Sequence, residues 1–160
     1  MEQVVDALIA DMDELSDTAE FHDVMDVGTE CKFDDPGLVT IHEYPYIYVA
    51  PINEMPVGET AGLAGYDIRQ LTIQIGVVVN ASDYFDASVS ELPASRELVA
   101  AANLIRKRLR RLGKRTLDDL SGVRNMDIEQ INYVPDLRED VFVRVAVTTI
   151  TVERQYQHEE

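Results

Sequence analysis

Residues 95–115, SRELVAAANLIRKRLRRLGKR, read as one amphipathic helix. Leu98, Ala101, Ala102, Ile105, Leu109 and Leu112 recur at three- and four-residue intervals and form a single apolar stripe. Such a stripe demands an apolar surface to lie on. The opposite face carries Arg106, Lys107, Arg108, Arg110, Arg111 and Lys114, with Arg115 at the end. Residues 96–115 hold eight of the fourteen Lys and Arg side chains in the chain. One helix therefore supplies both the cover for a sheet and most of the positive charge.

The surface it needs is legible in two alternating stretches. In residues 67–80, DIRQLTIQIGVVVN, Leu71, Ile73, Ile75, Val77 and Val79 fall on one side, and Gln70, Thr72 and Gln74 on the other. In residues 141–156, VFVRVAVTTITVERQY, Val141, Val143, Val145 and Val147 share one face and Phe142, Arg144, Ala146 and Thr148 the other. Residues 44–51, YPYIYVAP, form a third strand bounded by prolines, and residues 127–134 a fourth. Residues 2–15 form a second amphipathic helix through Val4, Val5, Leu8, Ile9, Met12 and Leu15, ended by Ser16-Asp17. Residues 21–27 are a weak strand candidate, and residues 28–44 read as irregular except for a short strand at 38–41. Residues 53–65, NEMPVGETAGLAG, carry three glycines and a proline without periodicity and read as a long mobile loop. Residues 80–93 and 116–126 read as turn-rich connectors. Residues 135–140 read as a hairpin turn and 157–160 as a frayed tail. The order of elements is α+β: an antiparallel or mixed sheet of four or five strands, with two helices packed on one face, in a single domain over residues 1–160.

Charge narrows the function. The net charge is −16, and the first 67 residues hold sixteen acids against one base, Lys32. A general binder of nucleic-acid backbones needs a positive field, which this chain as a whole lacks. Only three of the basic residues are lysines, and many acids with few lysines suit a high-salt cytoplasm where self-repulsion is screened. The single Cys31 excludes an intrachain disulfide and reads as a small half-buried residue. No apolar run reaches the roughly 20 residues of a membrane span. The acidic amphipathic start lacks the basic head and apolar centre of a signal peptide, so the expected site of synthesis and retention is a cytoplasm.

Catalytic and cofactor signatures are weak throughout. Residues 58–65 have the glycines of a phosphate loop but no Lys, and they lead into a strand rather than a helix. His22, His42 and His158 lack the spacing of a metal site. Asp11, Asp13 and Glu14 lie on a helix with no Gly at the offset a calcium loop needs. Thirty acids make accidental carboxylate pairs unavoidable, and no nucleophile elbow is present. The expectation is no catalytic residue, no cofactor, no metal and no enzyme activity. The arginine face of the basic helix has three readings: it meets the acidic first helix or is simply solvated; it meets an acidic surface on another copy or on a partner ring; or it binds nucleic acid, which the overall charge counts against. Arg suits the second because its planar fork pairs bidentately with carboxylates.

The order VVDALIADMDEL, YPYIYVAP, IRQLTIQIGVVVN, ELVAAANLIRKRLRRL and VFVRVAVTTITVERQY resembles the tail-terminator, or tail-completion, proteins of long-tailed bacteriophages and archaeal viruses. The resemblance spans most of the chain. It implies a structural virion protein that forms a ring, expected to be a hexamer. The ring would cap the tail tube and present a surface to the head-side connector. The implied partners are further copies of the chain, the tail-tube protein and the connector. Genomic DNA would pass through the lumen without specific binding, and no membrane is involved. The implied location is the virion tail or neck, and the host cytoplasm during assembly. The expected contact residues are Arg106, Lys107, Arg108, Arg110, Arg111, Lys114 and Arg115, with Glu54, Glu59 and Leu63 on a loop that orders on docking. The rivals are another neck or head-closure connector protein, and a small cytoplasmic ligand-binding or hydrolase domain.

Overall fold

The computed structural model describes residues 1–24, 31–32, 46–57, 66–80, 93–113, 122–138 and 141–157. Its elements are α1 (Glu2–Ser16), α2 (Ala19–Val24), β1 (Cys31–Lys32), β2 (Tyr46–Pro56), β3 (Tyr66–Asn80), α3 (Pro93–Gly113), β4 (Val123–Arg138) and β5 (Val141–Gln157). The strands form one five-stranded sheet in the order β1-β2-β3-β5-β4. The four long strands pair antiparallel, and β1 adds in parallel beside β2, so the sheet is mixed. The architecture is α+β.

Alternation in β3 and β5 dictates the layering. Ile73 pairs with Ile150, Leu71 with Val152 and Val77 with Ala146, all on one face. Ile47 and Val49 of β2 continue that face. Both long helices pack there: Val4, Val5, Leu8 and Met12 of α1 and Leu98, Ala101, Ala102, Ile105 and Leu109 of α3 join one buried cluster with these strand residues. The stripe read from the sequence is thus the sheet's cover, and each fully buried Leu or Ile in it contributes about 1.5–3 kcal/mol by leaving water. α1 lies over β1 and β2, whereas α3 lies over β3, β5 and β4. The other face also has a buried cluster at one end, made by Tyr46, Tyr48, Ala50, Val78, Val143 and Val145. The valine-rich face of β5 belongs here, away from the helices. Gly76 sits opposite Tyr48 in the register, and a Cβ at that position would overlap the tyrosine ring. Only glycine leaves the ring room to lie across β3.

Several expectations are corrected. Residues 21–24 are not a strand but part of α2, because the Thr18 hydroxyl caps that turn: its Oγ1 accepts the Phe21 N–H at 3.3 Å and donates to the Leu15 carbonyl at 2.7 Å. Residues 53–56 are not loop but strand. After a bulge at Ile52, Asn53 to Pro56 pair with Thr72 to Arg69. Pro51 and Pro56 are tolerated because β2 is an edge strand beyond its short pairing with β1. Cys31 and Lys32, inside the stretch expected to be irregular, pair with Ile47 and Tyr48. β4 starts at Val123, inside an expected connector, and runs through Pro135 to Arg138, inside an expected turn. It too is an edge strand, where a proline costs no ladder bond on the open side. Gly122 opens β4 with φ 89°, and its carbonyl accepts the Gln155 N–H at 2.8 Å. Gln157, expected to be frayed, is the last residue of β5 and pairs with Tyr66. The strand expected at residues 38–41 and the remainder of the loop, residues 58–65, lie outside the described residues.

Candidate assembly interface

The basic helix divides its charges between two flanks. Arg108 turns toward α1. Its Nε donates to Asp11 Oδ1 at 2.9 Å, and its Nη2 lies 2.8 Å from Asp11 Oδ1 and 3.1 Å from Glu14 Oε2. The hydrogen bond that Arg108 donates to Asp11 raises the guanidinium's pKa above its ordinary value. This is the intramolecular reading of the arginine face, realised at one residue. Arg106, Lys107 and Arg110 are exposed, and none makes an ion pair among the described residues. At about 100° per residue, Arg106, Arg110 and Val99 lie on the far side of the helix from Arg108. Val99 is 42% exposed. Arg111 lies in the last turn of α3, while Lys114, Arg115, Glu59 and Leu63 lie outside the described residues.

Glu54 is engaged within the chain. Arg69 bridges Glu54 at 3.3 Å and Asp67 at 2.6 Å, and these hydrogen bonds raise the Arg69 guanidinium, the Asp67 bond most. Arg69 also lies 5.6 Å from the Tyr156 ring centroid and Arg154 lies 4.9 Å from it. Arg154 is buried, and its Nη2 donates to Gln3 Oε1 at 2.7 Å. The start of α1 is thereby fastened to the ends of β3 and β5.

The sheet edges carry what sequence patterning missed. All six residues from Pro51 to Pro56 are exposed, with Ile52 at 54% and Met55 at 46%. On the opposite edge, Tyr133 and Val134 of β4 are 41% and 45% exposed. Isolated exposed apolar residues are ordinary, but pairs on two strand edges that are open among the described residues mark surfaces suited to another chain. The only signal in the sequence was β-branched and aromatic residues flanked by prolines, which identifies edge strands without saying that they stay uncovered.

No family model matches this chain, and no curated protein matches it. A chain in the solved structure described as "Virion of native gene transfer agent (GTA) particle" has a similar course, with a TM-score of 0.46 and 14% identity over 89% of this chain and 91% of that one. The helix flanks and strand edges, not that likeness, carry the functional reading.

A cleft of about 250 Å³ opens between the α1–α2 turn and α3, lined by Leu15, Thr18, Ala19, Glu20, Leu104, Lys107 and Arg108. Thr18 is spent on capping α2 and Arg108 on its bridge to α1, while Glu20 and Lys107 are exposed. Among the described residues no three His, Cys, Asp or Glu side chains gather at one point, and no helix is long and apolar enough to cross a membrane.

Proposed function

We propose that this protein is a structural virion subunit, and within that class a tail terminator: a ring that caps the tail tube and offers the head-side connector a docking surface. The observation that carries this reading is the pair of sheet edges left open among the described residues, β2 beyond Pro51 and β4, each with exposed apolar side chains. A subunit with two open edges on opposite sides joins neighbours on both, which is what ring formation requires. The charge supports the same reading. A net −16 gives a lumen that lets DNA pass rather than holding its phosphates. The work of such a subunit is non-enzymatic, it needs no cofactor, and its place is the virion, reached from the host cytoplasm. Its partners are its own copies, the tail-tube protein and the connector, with residues 58–65 and the arginine face as further contact points.

The deciding experiment is virus assembly without this protein. A tail terminator's absence gives tails of uncontrolled length. Tails of normal length that never join heads would instead assign the chain to the head-closure connectors. Wild-type yields of complete particles would remove it from the virion altogether.

A further inference from the structure

Resting on the ring reading above, we infer that copies of this chain join head to tail through two layers at once: the β4 edge of one copy adds to the outer half of β2 of the next, and the α3 flank of the first meets the α1 flank of the second.

Strand direction sets the lower layer. β2, β3, β5 and β4 alternate in direction, so β2 and β4 run opposite ways at the two sides of the sheet. Set side by side without inversion, β4 of one copy and β2 of its neighbour are antiparallel. The sheet then continues across the boundary in its own pattern, with the backbone donors and acceptors of each open edge satisfied by the other. β1 reaches only Ile47 and Tyr48 on β2, so among the described residues Pro51 to Pro56 stay open. Ile52 and Met55 on that stretch are exposed in the single chain; edge addition of the β4 stretch that the register sets level with them, Val123 to Ile128, removes them from water.

Charge sets the upper layer. α1 covers the β2 side and α3 the β4 side, so the flank of α3 away from α1 faces outward over β4. That flank carries Arg106 and Arg110, both exposed. The flank of α1 away from α3 faces outward over β2. Glu2 and Asp6, both exposed, lie about 140–180° around the helix from Asp11, the residue that α3 holds. The arrangement that pairs the strands antiparallel is therefore the one that brings a basic flank onto an acidic one. A two-fold arrangement would set β4 against β4 and Arg106 against Arg106, where like charges repel.

Two charge-reversed chains test this. Arg106→Glu with Arg110→Glu makes both outer flanks acidic; Glu2→Arg with Asp6→Arg makes both basic. Each chain alone should assemble at least about tenfold more weakly than wild type, and an equimolar mixture should recover assembly, because acidic α3 then meets basic α1 at one contact and the natural pair recurs at the next. Mass photometry reads the assembly, and circular dichroism verifies that each chain is folded. In wild type, a benzoylphenylalanine photo-cross-linker replacing Asp127, which the register sets level with Asn53 through Thr151 and Thr72, should attach to residues 51–56 of a second copy. Wild-type rings with cross-links elsewhere, variants that assemble unaided, or a mixture that fails to recover would overturn this pairing while leaving the ring reading intact. A wild-type chain that stays monomeric alone and beside tail-tube protein would overturn the ring reading itself.

Discussion

Arg106, Arg108 and Arg110 look equivalent in the sequence, yet one faces its own chain and two face solvent. Arg108 closes on Asp11, whose side chain is only 11% exposed. Removing the guanidinium would take its charged partner from a carboxylate that is poorly hydrated. Arg108→Ala is expected to cost about 1–2 kcal/mol, discounted for the partly exposed arginine. Arg106→Ala, which removes nothing but a solvated charge, should stay within about 0.5 kcal/mol of wild type. Urea unfolding of both variants measures the difference, and equal losses would refute the division of labour between the flanks. The sign with pH follows from Arg108's raised pKa. A group whose folded pKa lies above its unfolded one contributes below the unfolded value and loses that contribution only as pH rises through the folded one. For arginine that window lies beyond about pH 12, so the Arg108→Ala deficit should be as large at about pH 10 as at neutrality.

At the scale of elements, the folded core was legible because its periodicities are long. β3 alternates through Leu71, Ile73 and Ile75, and α3 keeps its stripe from Leu98 to Leu109, so hydrophobic spacing alone gave type, face and approximate limits. The short and polar elements were not legible, for a different reason in each case. Asn53 to Pro56 carry no alternation because all are exposed; only backbone pairing with β3 makes them a strand. Residues 135–138 look like a turn because Pro135 and Asp136 are turn formers, but β5 holds them in register. α2 is six residues long, too short to show a period, and depends on its cap. Thr18→Ala removes the acceptor for the Phe21 N–H and should cost about 1 kcal/mol. Phe21 is fully buried, so loosening the cap is also expected to shift its packing, visible as a change in the aromatic methyl-contact pattern by NMR. An unchanged unfolding midpoint would mean that the burial of Phe21 alone holds α2. The exposed strand edges were the least legible part of all. Ile52, Met55, Tyr133 and Val134 are common strand residues, and that they face outward follows only from which strands the sheet order leaves at its edges.

For the whole molecule the governing quantity is the charge of −16. It acts differently on folding and on assembly. Within one chain, acids crowd the helix layer: Glu2, Asp6 and Glu14 on α1, Asp17 just after it and Glu20 on α2 are all exposed, and Arg108 bridges Glu14 of these. Their mutual repulsion opposes the compact state and is screened by salt, with a Debye length of about 10 Å at 0.1 M falling to about 3 Å at 1 M. The Arg108 bridge is screened less because Asp11 is nearly buried. Repulsion should therefore fade faster than attraction, and the urea midpoint of the single chain is expected to rise between about 0.05 M and 1 M KCl. Between copies the balance is reversed at the point of contact. Acids far from the boundary are already screened at about 0.15 M, where the Debye length is near 8 Å, whereas Arg106 and Arg110 facing Glu2 and Asp6 act within that distance. Further salt should thus weaken assembly modestly while strengthening the fold. Mass photometry and urea unfolding along one KCl series measure both slopes. A midpoint that falls with salt would place the weight of stability on exposed ion pairs. Assembly that strengthens with salt would place the boundary between two acidic surfaces, and with it would go the matching of α3 to α1.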